Sequence, residues 1–295
     1  MDYIYTMVNT SLVPAHLDHR RSWDDFYYVY PVISRRSKGV SIGINLNPDK
    51  KCNFDCVYCE VDRKTPARIQ QVNLHILNHE LRAMIEIWRT GQLFEREPFS
   101  STPQEWRRLN DIAFSGDGEP TTCPVFAEVV EIADTVRKEL LSPEVKLVLI
   151  TDSACLDRPQ VKQGLKQMHQ GGYEVWAKLD AGTETYYKTV NRSHIPFARI
   201  LKNIKETSQW LPLTIQSLFF QVHGQSPTDE EINAYCDRLQ EILDAGGQIR
   251  GLQLYTIARP TPEPWATALT DSQLDHIAAL VRARIPLSQE LAYGK

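Results

Sequence analysis

From Gly39 onward the chain alternates short apolar runs with longer amphipathic stretches, and this alternation narrows the available folds more than any other feature. The runs at 40–46, 111–115, 145–150, 174–180, 213–222 and 249–258 have the length and β-branched content of buried strands. The stretches between them carry helical spacing and helical punctuation. Leu74, Leu77, Leu81, Met84 and Trp88 fall on one face ahead of Gly91, and another stretch opens at Pro159 and stops at Gly171-Gly172. Thr228-x-x-Glu231 and Thr270-x-x-Gln273 each read as a capping box, ahead of Ile232, Tyr235, Leu239 and Ile242 and of Leu274, Ile277, Ala278 and Val281. A helix between successive strands returns the chain to the same edge, so six β-α units predict an α/β fold with a parallel sheet. Six units are too few to close an eight-stranded barrel.

The flanks read differently. Residues 1–38 form an aromatic and basic leader with a short strand expected at about 26–33, covering one sheet edge. Interleaved aromatics and arginines suit single-stranded nucleic acid, but five Lys/Arg against four Asp/Glu favour an extension packed on the core. Residues 91–109 read as a surface insertion, and 259–269, with Pro260, Pro262 and Pro264, as an ordered loop before the last helix. The expected organisation is an N-terminal extension over 1–38, a core over 39–260 and a C-terminal helical cap over 261–295.

Composition excludes some functions. A hydrophobic content of 42% with 24% charged residues is that of a soluble globular protein, and a net charge of −4 gives no general support for nucleic-acid binding. No apolar run approaches the length of a membrane span, and Met1-Asp2-Tyr3-Ile4-Tyr5 lacks a basic region followed by an apolar one, so a cytoplasmic location is expected. A reducing compartment suits the six cysteines, three clustered to serve a metal and three scattered ones, Cys123, Cys155 and Cys236, serving the core.

The three clustered cysteines, Cys52, Cys56 and Cys59, follow the first strand in a C-x3-C-x2-C pattern. Thiolates are the ligands that iron–sulfur clusters select, and such short spacers let one loop reach three irons of a cubane, leaving the fourth open. An open position is what a catalytic metal site keeps. Structural zinc wants four protein ligands, whereas only Asp55, Glu60 and Asp62 stand nearby.

C-x3-C-x2-C with the aromatic Tyr58 before the last cysteine resembles the radical S-adenosylmethionine superfamily. The resemblance implies a partial (β/α)6 barrel and a [4Fe–4S] cluster whose open iron chelates S-adenosylmethionine. One electron then cleaves that cofactor to methionine and a 5′-deoxyadenosyl radical, which takes hydrogen from a substrate. It further implies a flavodoxin- or ferredoxin-like one-electron reductant. Ser115-Gly116-Asp117-Gly118-Glu119-Pro120-Thr121, after the second strand, resembles the family's G-G-E-P motif, with Asp117 in place of the first glycine. Gly118 and Glu119 are thereby expected to hold the cofactor's amine. Thr151, Asp152 and Ser153 stand where the family carries a cofactor-contacting loop. Lys178-Leu179-Asp180-Ala181 resembles an S-L-D-A stretch, which with Asn191 is expected to line the ribose and substrate space. Lys178 and Asp180 are the candidate catalytic pair, or equally a structural ion pair, and Ile257 is expected to pack on the adenine. Gln221 or His223 closes the fifth strand and Arg259 the sixth.

The G-E-P-T form of the second motif and the compact size most resemble the wybutosine-type tRNA modification and molybdenum-cofactor-type branches. Lys178, Lys188, Arg192, Arg199, Lys202, Lys205 and Arg259 suggest an anionic substrate, a nucleotide, RNA or a phosphorylated metabolite. The alternatives are an activase that places a glycyl radical on a partner protein, and a non-catalytic iron–sulfur electron carrier or regulator.

Overall fold

In a computed structural model that describes residues 15, 21–34 and 38–294, the alternation becomes one eight-stranded sheet flanked by helices. The leader strand, 29–34 against the expected 26–33, is β1 (Val29–Ser34), antiparallel to β2 (Gly39–Ile44) at one edge. Parallel strands β3 (Leu109–Phe114), β4 (Lys146–Thr151), β5 (Tyr173–Lys178) and β6 (Leu213–Leu218) follow. The leader residues 1–14, 16–20 and 35–37, including Arg35 and Arg36, lie outside the described residues.

The remaining strands depart from expectation. The single strand expected over 213–222 breaks at Phe219, and its second half, β7 (Phe220–Val222), leaves the sheet to pair with β9 (Ala266–Ala268) in the proline-rich segment expected to be a loop. β8 (Ile249–Tyr255) takes the place beside β6, and a strand not anticipated, β10 (Gln289–Ala292), adds in parallel at the far edge. The segment after 261 is therefore no purely helical cap.

Among the described residues seven α-helices connect the strands: α1 (Leu74–Arg89), α2 (Phe126–Leu140), α3 (Pro159–His169), α4 (Glu184–Asn191), α5 (Phe197–Ser208), α6 (Asp229–Asp244) and α7 (Asp271–Arg284). Because apolar residues buried on both faces leave a parallel strand no solvent side, β4 reads as a nearly continuous apolar run, Leu147-Val148-Leu149-Ile150. One face meets the helices. The other bounds a cavity of about 340 Å³ whose wall takes Tyr30 from β1 at one edge and Ala292 from β10 at the other. Opposite edges reach one cavity only if the sheet curls, which gives a half-barrel. Gly43 permits this at β2, since a Cβ there would run into the Tyr30 ring lying across it.

The helix starts follow their caps, with one correction. Thr270 and Gln273 form the full capping box, whereas at α6 only Thr228 caps. The Glu231 side chain turns away to accept from Gly182 N at 2.5 Å and Thr183 Oγ1 at 2.6 Å, tying α6 to the loop after β5. Glu80 of α1 does a similar task for the leader. Its buried carboxylate accepts from Tyr27 N and Tyr28 N, both at 2.8 Å, and from Val29 N at 3.2 Å, which satisfies the start of β1. In the 91–109 surface insertion, Leu93 and Trp106 are buried and anchor the segment to the core.

Candidate active site at the carboxyl ends of the strands

Ligands of parallel α/β folds gather where strands end at their carboxyl termini, and the motif residues converge there. The cysteine loop leaves β2 through Asn45 and Asn47, two buried residues that sequence reading passed over. Asn45 Oδ1 accepts from Asn47 N at 3.0 Å and Asp117 N at 3.1 Å, and its Nδ2 donates to Asp117 Oδ2 at 2.8 Å. Asn47 Nδ2 donates to Thr122 Oγ1 at 2.9 Å. The loop after β2 is thus bolted to the loop after β3. On its other side, Asp55 N and Val57 N donate to the carbonyls of Asn191 and Val190 at the end of α4.

Each of the three loop cysteines receives a donor. Phe54 N points at Cys52 Sγ at 3.5 Å, Asn191 Nδ2 at Cys56 Sγ at 3.4 Å, and an Arg63 guanidinium N–H at Cys59 Sγ at 3.7 Å. Burial pushes the Cys52 and Cys56 thiols up to about 12, so a metal must displace their protons. Among the described residues no three His, Cys, Asp or Glu side chains converge on a single ion position. A cluster asks for something else, since its three cysteines bind three different irons, and N–H donors at sulfur are what tune such ligands. The loop fits that group. Cys123, Cys155 and Cys236 are buried. Cys155 nevertheless sits beside the loop, its sulfur 3.8 Å from Asn53 Nδ2.

Gly118 faces the start of the cysteine loop so closely that a Cβ would collide with the Lys51 carbonyl and the Asn47 side chain. Backbone opposes it, so neither side yields easily. Gly118→Ala is expected to lower stability by about 1–3 kcal/mol, as overpacking does, and to loosen iron retention. A thermal melt and iron assay matching wild type would contradict this.

Glu119 is buried, and its carboxylate accepts from Thr121 N and Oγ1, from Thr151 Oγ1 at 2.7 Å and from Asp152 N at 2.7 Å. It therefore locks the β3 and β4 loops together. Burial raises the Glu119 carboxyl, and burial together with the Glu119 charge raises Asp152 well above its ordinary value. Asp152 Oδ1 accepts from Ala154 N at 2.9 Å, while Asp152 Oδ2, Ser153 Oγ and Asn47 Oδ1 are buried with no partner among the described residues. Because the folded state holds a proton that the unfolded carboxyl has lost above about pH 4, stability is expected to fall as pH rises from there through the raised folded value. Asp152→Asn keeps the Ala154 bond and should flatten that slope in metal-free protein. A urea midpoint with the same pH dependence in both proteins would show that Asp152 does not carry it.

Lys178, Asp180, Tyr58 and Asn191 form one buried network. Asp180 Oδ1 accepts from Lys178 Nζ at 3.0 Å and Leu218 N at 2.9 Å, and Oδ2 from the Tyr58 hydroxyl and from Asn191 Nδ2 at 3.0 Å. Lys178 also donates to the Tyr255 hydroxyl at 2.7 Å, with its ammonium about 5 Å from the rings of Tyr58 and Tyr255. Ile257 lies in a small apolar cluster with Val57, Val190, Leu218, Phe220 and Ala266, under the cysteine loop. Gln221 and His223 stand apart: Gln221 bonds Gln273 at 2.9 Å, and His223 stacks on Trp265 in the β7 turn.

The positive cluster expected after the strand over 174–180 is largely neutralised. Lys188 pairs with Glu184, Arg192 with Asp55 and Glu263, Arg199 with Asp157 and Lys202 with Glu206. Lys178 faces Asp180, and Arg259 faces Glu60 at 2.8 Å. A run of cations in sequence carries no information on the carboxylates that neighbouring elements bring to it.

No family model matches the chain. It is 25% identical over 240 residues to a UPF0026 protein of Helicobacter pylori, with 78% of this chain and 66% of that protein covered. A UPF0026 protein of Methanocaldococcus jannaschii is 27% identical over 164 residues, 56% of this chain and 43% of that one. The chain thus spans about two thirds or less of these relatives. Among solved structures, TYW1 with a lysine-pyruvate adduct bound has a TM-score of 0.54 at 14% identity, covering 91% of this chain and 79% of that one. Streptococcus suis SuiB bound to S-adenosylmethionine has a TM-score of 0.51 at 10% identity, covering 85% and 47%. These neighbours are radical S-adenosylmethionine enzymes, and the curled, mostly parallel sheet is the fold this chain shares with them.

Proposed function

We propose that the protein is a radical S-adenosylmethionine enzyme acting on an anionic substrate. The observation that carries this reading is the placement of Cys52, Cys56 and Cys59, each with an N–H donor at sulfur, directly across from the Gly116–Glu119 loop. When bound, the [4Fe–4S] cluster supplies one electron that cleaves S-adenosylmethionine and yields a 5′-deoxyadenosyl radical for hydrogen abstraction. The chain's own residues do the rest. Gly118 lets its loop close onto the start of the cysteine loop, and Glu119 fixes Thr151 and Asp152 beside it. The orphaned Asp152 Oδ2, Ser153 Oγ and Asn47 Oδ1 are polar atoms suited to the ammonium and hydroxyl groups of that cofactor, Asp152 accepting from an ammonium once it gives up its proton. Asn191 and Tyr58 join the Cys56 side of the loop to Asp180. Ile257 offers an apolar surface for the adenine. Lys178 and Asp180 set the polarity of the chamber wall, and a flavodoxin- or ferredoxin-like protein serves as reductant.

The test is anaerobic reconstitution followed by reduction in the presence of S-adenosylmethionine. Methionine and 5′-deoxyadenosine should appear in equal amounts. A protein that holds iron but neither binds nor cleaves the cofactor is an electron carrier or regulator, and the proposal fails.

A further inference from the structure

The outer flank of the half-barrel carries a basic stripe that the candidate site leaves unused. Arg158, Lys162 and Lys166 recur at four-residue spacing along α3, which puts them on one face, while Val161, Leu165 and Met168 take the buried one. From Arg158 to His169 there is no Asp or Glu. Among the described residues the side chains of Arg158, Lys162 and Lys166 have no carboxylate partner, and neither has Lys205 of α5. Asp157 and Glu206, the acids of this flank, are taken by Arg199 at 3.1 Å and Lys202 at 3.7 Å. The flank is thus positive in a chain whose net charge is −4.

One end of the stripe meets the cysteine loop. α5 is seated on the turn ahead of α3, since Asn203 Nδ2 donates to the carbonyls of Ser153 at 2.9 Å and Ala154 at 3.1 Å, and Arg199 crosses to Asp157. In that turn the Cys155 carbonyl accepts from Arg158 N at 3.0 Å. Burial raises the Cys155 thiol to about 11 and Arg158 and Arg199 pull against it, so both guanidiniums stand near that sulfur. Asn53 continues the path inward: its Nδ2 donates to Cys155 Sγ at 3.8 Å, and its Oδ1 lies 3.7 Å from Cys52 Sγ. A short chain of contacts therefore runs from the half-buried Arg158 to a cluster ligand, and none of its residues lines the cavity inside the curled sheet.

We propose that the flank formed by α3 and α5, through Arg158, Lys162, Lys166 and Lys205, is the docking surface for an acidic protein that delivers the electron. This rests on the radical-enzyme reading and deepens it, because it assigns the reductant to the outer flank and leaves the opening of the half-barrel to the substrate. A donor passes one electron and no atom, so it is oxidised by one electron without entering the chamber. A nucleic-acid substrate, in contrast, must bring its reacting group inside. No exposed Phe, Tyr or Trp stands on α3 or α5 for a base to stack on, which also favours a protein. Opposite charge across such a face speeds encounter and is screened by salt.

The experiment uses the anaerobically reconstituted full chain and follows bleaching of its visible absorbance in stopped flow. A reduced acidic flavodoxin is the donor, and dithionite is the small-molecule comparison. Flavodoxin should reduce wild type at a rate that falls steeply as salt rises. Lys162→Glu combined with Lys166→Glu, both at exposed positions, should slow the low-salt rate about tenfold or more and remove most of its salt dependence. Arg282→Glu combined with Arg284→Glu, at the end of α7, changes the net charge equally and should stay within about twofold of wild type. Dithionite should reduce all three proteins alike. The proposal is overturned if flavodoxin fails to reduce wild type or does so at a rate indifferent to salt, or if the α3 variant is reduced as fast as wild type. It is equally overturned if the α7 variant slows as much, or if dithionite slows with the α3 variant, because net charge or the cluster itself is then what changed. Should a short single-stranded RNA bind wild type and not the α3 variant while flavodoxin reduces both alike, the flank serves nucleic acid and the proposal is again overturned. Failure of the underlying reading looks different, since wild type would then hold no cluster for any donor to reduce.

Discussion

Replacing Cys56 with alanine is expected to abolish cluster binding: reconstituted wild type should carry about four irons per chain, and the variant close to none. The reason is local. Cys56 is the middle ligand of a loop anchored on one side to β2 through Asn45 and Asn47 and on the other to the end of α4 through Val57 N and Asp55 N. Its sulfur alone receives Asn191 Nδ2, the group that also reaches Asp180. With two cysteines left, no other thiol on the loop can substitute. Cys236→Ala, in the packed face of α6, should keep its iron and lose only packing stability. Visible absorbance and iron content decide the matter, and a Cys56→Ala protein that retains both would remove the basis for the cluster assignment.

Asp180→Asn is expected to cost about 3–5 kcal/mol of folding stability, because it leaves the buried Lys178 ammonium without its counter-charge. Burial alone would pull the Lys178 ammonium down, but Asp180 and Tyr255 outweigh it and raise it above its ordinary value. A lysine raised in the folded state contributes stability that is fully present below its unfolded value and fades only as pH climbs through the higher folded one. The loss should therefore be the same at every pH from about 6 to 9, well below the ordinary lysine value. Lys178→Met combined with Asp180→Asn should recover most of it, since removing both charges removes the unpaired one. Urea midpoints at constant slope give the answer. If the single Asp180→Asn variant unfolds within about 1 kcal/mol of wild type, the pair is not a buried counter-charge in the sense argued here.

What could be read without a structure was what is periodic or local. The strands β2 to β6 and β8, the stops at Gly91 and Gly171-Gly172 and the cap at Thr270 announce themselves within a few residues of chain, because hydrophobic period and capping are short-range effects. The break at Phe219 was hidden because Leu218-Phe219-Phe220 is apolar whichever sheet it joins, and β10 because Gln289–Ala292 is too short and polar to declare itself. Glu231 shows the limit of a motif. Its spacing from Thr228 suits a capping box, yet Gly182 and Thr183, some fifty residues earlier, take its carboxylate.

The same division runs through the site. Spacing alone pointed to Cys52, Cys56 and Cys59 as one group of ligands and to a glycine-rich acidic loop one β-α unit later, since both are short stretches of chain legible without their neighbours. Only the tertiary structure decided which partners those residues meet. It gave Glu119 to Thr121, Thr151 and Asp152, Asp180 to Tyr58, Lys178 and Asn191, and Asp117 to Arg21 of the leader. It also paired most of the cations that sequence had grouped as a binding patch. Charge and hydrogen-bond complementarity act through space over a few ångströms, and the residues that supply it lie as far apart in the chain as Arg259 and Glu60.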